Sequence, residues 1–227
     1  MAETKSGILG KIKGSVSNVV GRVRFGQNII SVKPSSFTPG NDPNSIARRE
    51  KFRITVKFAN AVVSIEDLKS SWKKIAPKGL FAFHIVVQNN YPYFINEIPS
   101  ASNTISPPKG FNITSDPAQI TQTAIQLAIH SIGNVEAFDT SVETNLRLSL
   151  VMALFNPQDP NVEKYEFVSF KSDKQSFQTT ANLTFSIPLP ASCQSLVSKY
   201  SSKIIYYALT TLDINDEAVN CSVTLSE

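Results

Sequence analysis

Two histidines, His84 and His130, are the side chains of this 227-residue chain best suited to act as a general base near neutral pH. A base-activated nucleophile needs a serine, threonine or cysteine beside such a base. Neither histidine has a cysteine near it in sequence, and no serine stands in a G-x-S-x-G elbow. His84 lies inside the apolar run Leu80–Val87 and His130 in a stretch that reads as a strand, so both are expected to be structural. Cys193 and Cys221 form no C-x-x-C pair, H-E-x-x-H does not occur, and no metal site is expected. Both thiols are expected to be free. Gly7-Ile-Leu-Gly10 and Lys13-Gly14 lack the order of a phosphate-binding loop, G-x-x-x-x-G-K-[ST]. Glu163, Glu166 and Asp173 supply carboxylates of the kind a glycosidase pairs, but in a loop-rich stretch where surface solvation accounts for them. The expectation is a chain without catalytic residues, cofactor or metal, and not an enzyme.

Charge is more informative than any of these motifs. Residues 1–78 hold 15 Lys and Arg against 5 Asp and Glu, a net of +10. Residues 79–227 hold 7 against 13, a net of −6, which together give the chain its +4. Such asymmetry points to an anionic partner for the first part, or to self-assembly of basic part onto acidic part. The residues expected to meet that partner are Lys11, Lys13, Arg22 and Arg24, then Arg48, Arg49, Lys51, Arg53 and Lys57. No helix-turn-helix, zinc-finger or RNA-recognition signature accompanies them, so any nucleic-acid contact would be independent of sequence. An acidic protein neighbour is the other candidate partner, and a solvated helix face the bland alternative.

The elements that carry these residues follow from pattern. Gly14–Gly21 and Arg22–Lys33 read as short strands about tight turns, with Gly21 and Gly26 where the chain must bend. From Asn44 to Val63 the pattern is helical: Phe52, Val56, Ala59 and Val63 recur at i, i+4, i+7 and i+11, widened by Ile54, Phe58 and Ala61. Ser64 followed by Asp67 reads as a capping box, opening a helix over 65–75 that buries Leu68, Trp72 and Ile75. Leu80–Val87 fits either helix or strand. A Pro/Ser/Asn-rich connection spans 91–118. Beyond it seven strands are expected: 120–131, 135–140, 145–155, 164–169, 177–188, 203–213 and 218–225.

The fold class is therefore mainly β with a helical insert: an N-terminal β-hairpin plus two helices, then an immunoglobulin- or fibronectin-like β-sandwich. The divisions are a basic arm 1–36, a basic helical region 37–90, a linker 91–118 and an acidic sandwich 119–227. No run of 18 apolar residues is present, so no helical membrane span is expected, and no secretory signal is read at the N-terminus. A cytosolic chain without a membrane partner is the expectation.

The N-terminal third resembles a known group of proteins. Gly7-Ile-Leu-Gly…Gly14-Ser-Val-Ser-Asn-Val-Val-Gly21, Ile29-Ile-Ser-Val-Lys-Pro-Ser35 and Ala47-Arg-Arg-Glu-Lys-Phe52 are similar to a family of uncharacterised proteins from Bacteroidota genomes, their phages and prophages. In that family a glycine-punctuated hairpin precedes a basic helix, a second helix bearing tryptophan, and a β-rich remainder. The likeness covers residues 7–75, and Arg22-Val-Arg-Phe25 replaces a stretch that often carries tryptophan there. It implies a context of virion-like gene neighbourhoods, and since that family has no established activity it carries over nothing catalytic.

The arm's apolar residues, Val16, Val19, Val20, Val23, Phe25, Ile29, Ile30 and Val32, are too few for a core of their own. They are expected to make an intersubunit contact by β-augmentation. The leading expectation is a structural or accessory component of a phage virion (head, neck or tail), assembled in the host cytoplasm with itself and other structural proteins. The alternatives are a cytosolic, sequence-independent nucleic-acid-binding protein and a receptor- or carbohydrate-binding module using Tyr91, Tyr93 and Phe94.

Overall fold

The computed structural model describes residues 3–4, 14–24, 26–33, 36, 38–95, 98–121, 123–133 and 138–227, with the backbone alone for Glu3, Thr4 and Val16. Among these residues the protein is mainly β, with three sheets and four helices. The chain separates into two compact units, Met1–Ile46 with Pro77–Gly79, and Ala47–Ala76 with Leu80–Glu227.

The first unit is built on an antiparallel sheet of β1 (Glu3–Thr4), β2 (Gly14–Val16), β3 (Val19–Arg24) and β4 (Gln27–Val32), in the order β1-β4-β3-β2. Val16 pairs with Val19, leaving Ser17 and Asn18 as a two-residue turn with Ser17 at φ 52°. Gly26, at φ 79°, lies in the β3–β4 connection, where a positive φ suits glycine. Gly21, expected at a bend, instead lies inside β3, opposite Gly14 on one side and Ile30 on the other. Lys11, Lys13 and Phe25 lie outside the described residues, as does the Val16 side chain.

The second unit contains most of α1 (Pro43–Val63), then α2 (Glu66–Ile75), α3 (Ala82–Asn90) and a 3-10 turn at Tyr91–Tyr93. The buried positions of α1 are Ile54, Thr55, Phe58, Ala59 and Val62, whereas Phe52 is 54% exposed. The buried stripe is thus centred on Ile54, Phe58 and Val62: of the expected line Ala59 is buried, as are the flanking Ile54 and Phe58, while Phe52, Val56 and Val63 are not. Phe58 explains the choice: its ring meets Phe94, Phe167 and Tyr206 edge to face at 5.4–5.7 Å. The expected capping box at α2 does not form. Ile65 occupies the N-cap position, the Ser64 hydroxyl donates back to Ala61 O, and Asp67 turns inward to Arg147. In that last pair Arg147 Nη1 donates to both carboxylate oxygens, at 3.0 and 3.1 Å, and the pair is nearly buried. Trp72 is fully buried as expected, but Ile75 is 49% exposed. The ambiguous segment after Gly79 is helical: Ala82, Val86 and Asn90 are buried at four-residue spacing.

Two further sheets follow. One joins β5 (Gln119–Ile120), β6 (Ala124–Ile129) and β10 (Leu183–Pro188) in the order β10-β6-β5. The other has β12 (Ala218–Cys221), β11 (Tyr200–Leu212), β7 (Asn145–Pro157) and β8 (Tyr165–Lys171) in that order, with β9 (Gln175–Ser176) on β7 and β13 (Leu225–Ser226) on β11. A short helix, α4 (Ala191–Val197), bridges β10 and β11.

β7 and β11, paired from Asn145↔Leu212 to Pro157↔Tyr200, form the central pair. Their side chains alternate between two cores. Leu146, Leu148, Leu150, Met152 and Leu154 join Ile205, Tyr207 and Leu209 against Ile125, Leu127, Ile129, Leu183, Phe185 and Ile187 of the smaller sheet. Val151, Ala153, Tyr206 and Ala208 point the other way, into the core with Ile54, Phe58, Leu68 and Trp72 of the helices. Burial on both faces is why Leu148-Ser-Leu-Val-Met-Ala-Leu154 reads as a nearly unbroken apolar run.

The stretch 91–118, read as a linker, is integral to the second unit. Phe94 and Ile105 are fully buried in the helix-side core, and Ile105 O accepts from Trp72 Nε1 at 2.7 Å. Gly110 runs so close to Cys221–Val223 that a Cβ there would overlap their backbone. The strand expected at 135–140 is not formed in its described part. There Phe138 packs edge to face between Phe111 and Phe177, and residues 134–137 lie outside the described residues. The strand expected from 120 is a hairpin of β5 and β6 turning through Thr121, and the one expected from 177 begins only at Leu183.

Candidate functional site

Pairing fixes which arm residues share a face, because directly opposed residues of an antiparallel pair project to the same side. Val19↔Val32, Gly21↔Ile30 and Val23↔Asn28 occupy one face; Val20↔Ser31, Arg22↔Ile29 and Arg24↔Gln27 occupy the other. One face is thus uncharged and valine-rich, and the other carries both arginines. Arg22 and Arg24 are exposed.

No described apolar side chain of this sheet is buried. Val19, Val20, Val23, Ile29 and Ile30 are half-buried, and Val32 is 71% exposed. Every buried hydrophobic residue among those described lies from Ile54 onward. A four-stranded sheet that buries so little gains little from the hydrophobic effect, at about 25 cal/mol per Å² of apolar surface.

The cations of α1 fare differently from one another. Arg48 and Arg49 are exposed near its start. Lys51 lies over the Tyr91 ring, 4.8 Å from its centroid. Arg53 donates from Nε to the Tyr165 hydroxyl at 3.0 Å and pairs with Glu50 at 3.2 Å. The Tyr165 bond is the largest reason its guanidinium sits above its ordinary value, with Glu50 and Glu163 adding to it. Lys57 reaches Glu163 at 3.2 Å and Glu166 at 3.7 Å, and it also lies over Tyr165. The five expected contacts on this helix are therefore not one open cationic face: three lie down on the protein's own rings and carboxylates. Tyr165 as organiser was missed in the sequence. Its signal is Arg53 and Lys57 at i, i+4 matched by Glu163 just before a strand and by Tyr165 and Glu166 at its start.

The two histidines each hydrogen-bond to neighbouring groups of the second unit. Phe81 N donates to His84 Nδ1 at 3.1 Å at the start of α3, a bond that requires an unprotonated Nδ1. His130 stands between Thr114 Oγ1 at 3.4 Å and Asp116 Oδ1 at 3.0 Å, an order of groups like that of a nucleophilic triad. Both His130 and Asp116 are well exposed, at 43% and 64%. The arrangement clasps 114–116 to β6, through His130 N to Thr114 O and Asp116 N to Ala128 O. Cys221 is buried, which pushes its thiol up to about 11, and Cys193 is half-buried; both are free. Of Tyr91, Tyr93 and Phe94, only Tyr93 is strongly exposed, since Phe94 is core.

Among the described residues, no group of three or more His, Cys, Asp or Glu is placed to hold a metal ion, and no helix is long and apolar enough to cross a membrane. Comparison of the sequence with protein-family models and with curated proteins found no match.

Proposed function

We propose that this protein is a non-enzymatic assembly component, joined to its neighbours through the arm sheet of residues 14–32, and that its particle is a phage virion. The observation that carries the reading is the sheet's lack of any buried apolar side chain among those described. Val19, Val23, Ile30 and Val32 gain their burial from another subunit, and the unpaired strand edges add backbone hydrogen bonds. The virion context rests on the resemblance of residues 7–75, and the cytoplasm is the place of assembly. The facing apolar rows of β6/β10 and β7/β11 support reading the second unit as a β-sandwich of immunoglobulin or fibronectin type, with helices packed on its outer face.

A second reading, sequence-independent binding of nucleic acid, is favoured by the exposed Arg22 and Arg24 on one face of the sheet. Mass-resolved solution size of the full chain, with and without short duplex DNA, separates the two. The assembly reading predicts oligomers without DNA that dissociate when Val23→Asp and Ile30→Asp are introduced together. A monomer at all concentrations that shifts onto DNA at low salt and leaves it at high salt would replace the first reading with the second.

A further inference from the structure

Among the described strands longer than three residues, β8, β10 and β12 each end a sheet of the second unit. Natural sheets guard such edges with charge or cover. β8 carries Glu166 and Lys171, and Lys74 of α2 reaches over β12, its Nζ donating to Ala218 O and Val219 O. β10 has neither guard. Residues 175–198 hold no Lys, Arg, Asp or Glu in a chain of which 18% is charged, so nothing on this edge repels another strand.

The outward groups of β10 follow from its pairing. On β6, Ala128 O and His130 N are spent on Asp116 N and Thr114 O, so the odd-numbered residues of β6 bond toward β10. Leu183, Phe185 and Ile187, directly opposite Ile129, Leu127 and Ile125, take those bonds, and Leu189 N continues the row onto Thr123 O. The even-numbered backbone groups of β10 therefore face outward. Thr184 offers an N–H, Ser186 an N–H and a C=O, and Pro188 a C=O alone. Thr184 O is already met by Gln175 Nε2 at 2.7 Å. No other hydrogen bond reaches these groups among the described residues.

This set is complementary to itself about a two-fold axis. With two copies of β10 laid antiparallel and Ser186 opposite Ser186, each Ser186 N–H donates to the other's C=O. Thr184 then falls opposite Pro188 of the second copy and donates its N–H to that proline's C=O. The proline has no N–H to direct at Thr184 O, the one carbonyl that Gln175 holds. No outward N–H is left unpaired. Moving the axis to Phe185 would instead set Ser186 N–H against the occupied Thr184 O. On the core-facing side, Phe185 meets Ile187 of the second copy and extends the apolar row.

We infer that β10 is a two-fold contact with a second copy of this chain, edge to edge in the register centred on Ser186. It joins two three-stranded sheets, β10-β6-β5 in each copy, into one continuous sheet. The contact goes beyond the arm reading and does not depend on it.

The test uses the full chain carrying Val23→Asp and Ile30→Asp, which silences the arm contact, and reads solution mass against concentration. A dimer is expected. Ser186 is exposed and sits on the axis, so Ser186→Lys sets two like charges opposite each other, as does Ser186→Glu. Either change is expected to weaken the dimer by about tenfold, and mixing the Lys and Glu variants to restore it. A melting transition retained in both variants shows that the second unit is folded. Amide exchange reads the contact without any change to β10: Thr184 and Ser186 N–H are expected to exchange more slowly in the dimer than in the diluted monomer. A chain that stays monomeric at all concentrations overturns the contact, as do equal exchange rates at Thr184 and Ser186. A dimer indifferent to Ser186→Lys, or a Lys–Glu mixture that stays monomeric, overturns the register. The arm reading is tested separately, by whether the chain with native Val23 and Ile30 builds anything larger than this dimer.

Discussion

At the scale of single residues, burial and hydrogen bonding decide what each polar group does, more than its type. Tyr207 is 1% exposed, donates to Glu227 Oε1 at 2.8 Å and shares a 2.6 Å bond with Ser115. Burial, more than these bonds, pushes its phenol up to about 12, against about 10 in an unfolded chain. The folded state therefore holds this proton more tightly than the unfolded state. Its contribution is complete below pH 10 and is lost as pH rises toward 12. The fully buried Tyr206 shifts in the same direction for the same reason. Unfolding by urea at a series of pH values is expected to show stability falling across pH 10–12, with Tyr207 contributing on the order of 2 kcal/mol. In Tyr207→Phe the slope should become shallower while Tyr206 keeps the remainder; an unchanged slope would exclude Tyr207 as its source. None of this was legible in the sequence, where Tyr206 and Tyr207 are adjacent and look alike. They point to opposite faces of β11, into different cores.

At the scale of elements, periodicity located most helices and strands, while their orientation came from neighbours. Asn44–Val63 is helical as spacing predicts, yet the buried stripe follows Ile54, Phe58 and Val62 because the Phe58 ring has three aromatic partners to meet. The start of α2 shows a local rule overruled by a distant charge. Ser64 and Asp67 have capping-box spacing, but Arg147, eighty residues on, takes the carboxylate. Its ion pair is almost dry, and breaking one partner of such a pair costs about 3–5 kcal/mol, well above the ~1 kcal/mol of a cap. Ser64→Ala is accordingly expected to shift stability by less than about 0.5 kcal/mol in a urea titration. A loss above 1 kcal/mol would mean that the hydroxyl caps α2 after all. α4 carried no strong signal, being seven residues between Pro190 and β11.

At the scale of the whole molecule, the two units differ in how they are stabilised. The second has two contiguous cores on opposite faces of one sheet, and the first buries no described apolar side chain. A chain beginning at Gly40 is therefore expected to unfold cooperatively, within about 5 °C of the full chain measured at the same low concentration. A loss of cooperativity would show that the arm belongs to the second unit's fold. The sequence by itself determined the charge asymmetry, the arm's small apolar content, the helical and strand-like periods and the lack of recognisable catalytic motifs, because each is carried by neighbouring residues or by composition. Only the tertiary structure decided that Phe94, Ile105 and Ile113 of the stretch 91–118 are core, that Lys51, Arg53 and Lys57 fold down onto rings and carboxylates, and that β8 ends its sheet beside α1. Those outcomes depend on residues tens to more than a hundred positions apart, such as Lys57 with Glu163 and Trp72 with Ile105, whose meeting no local period records.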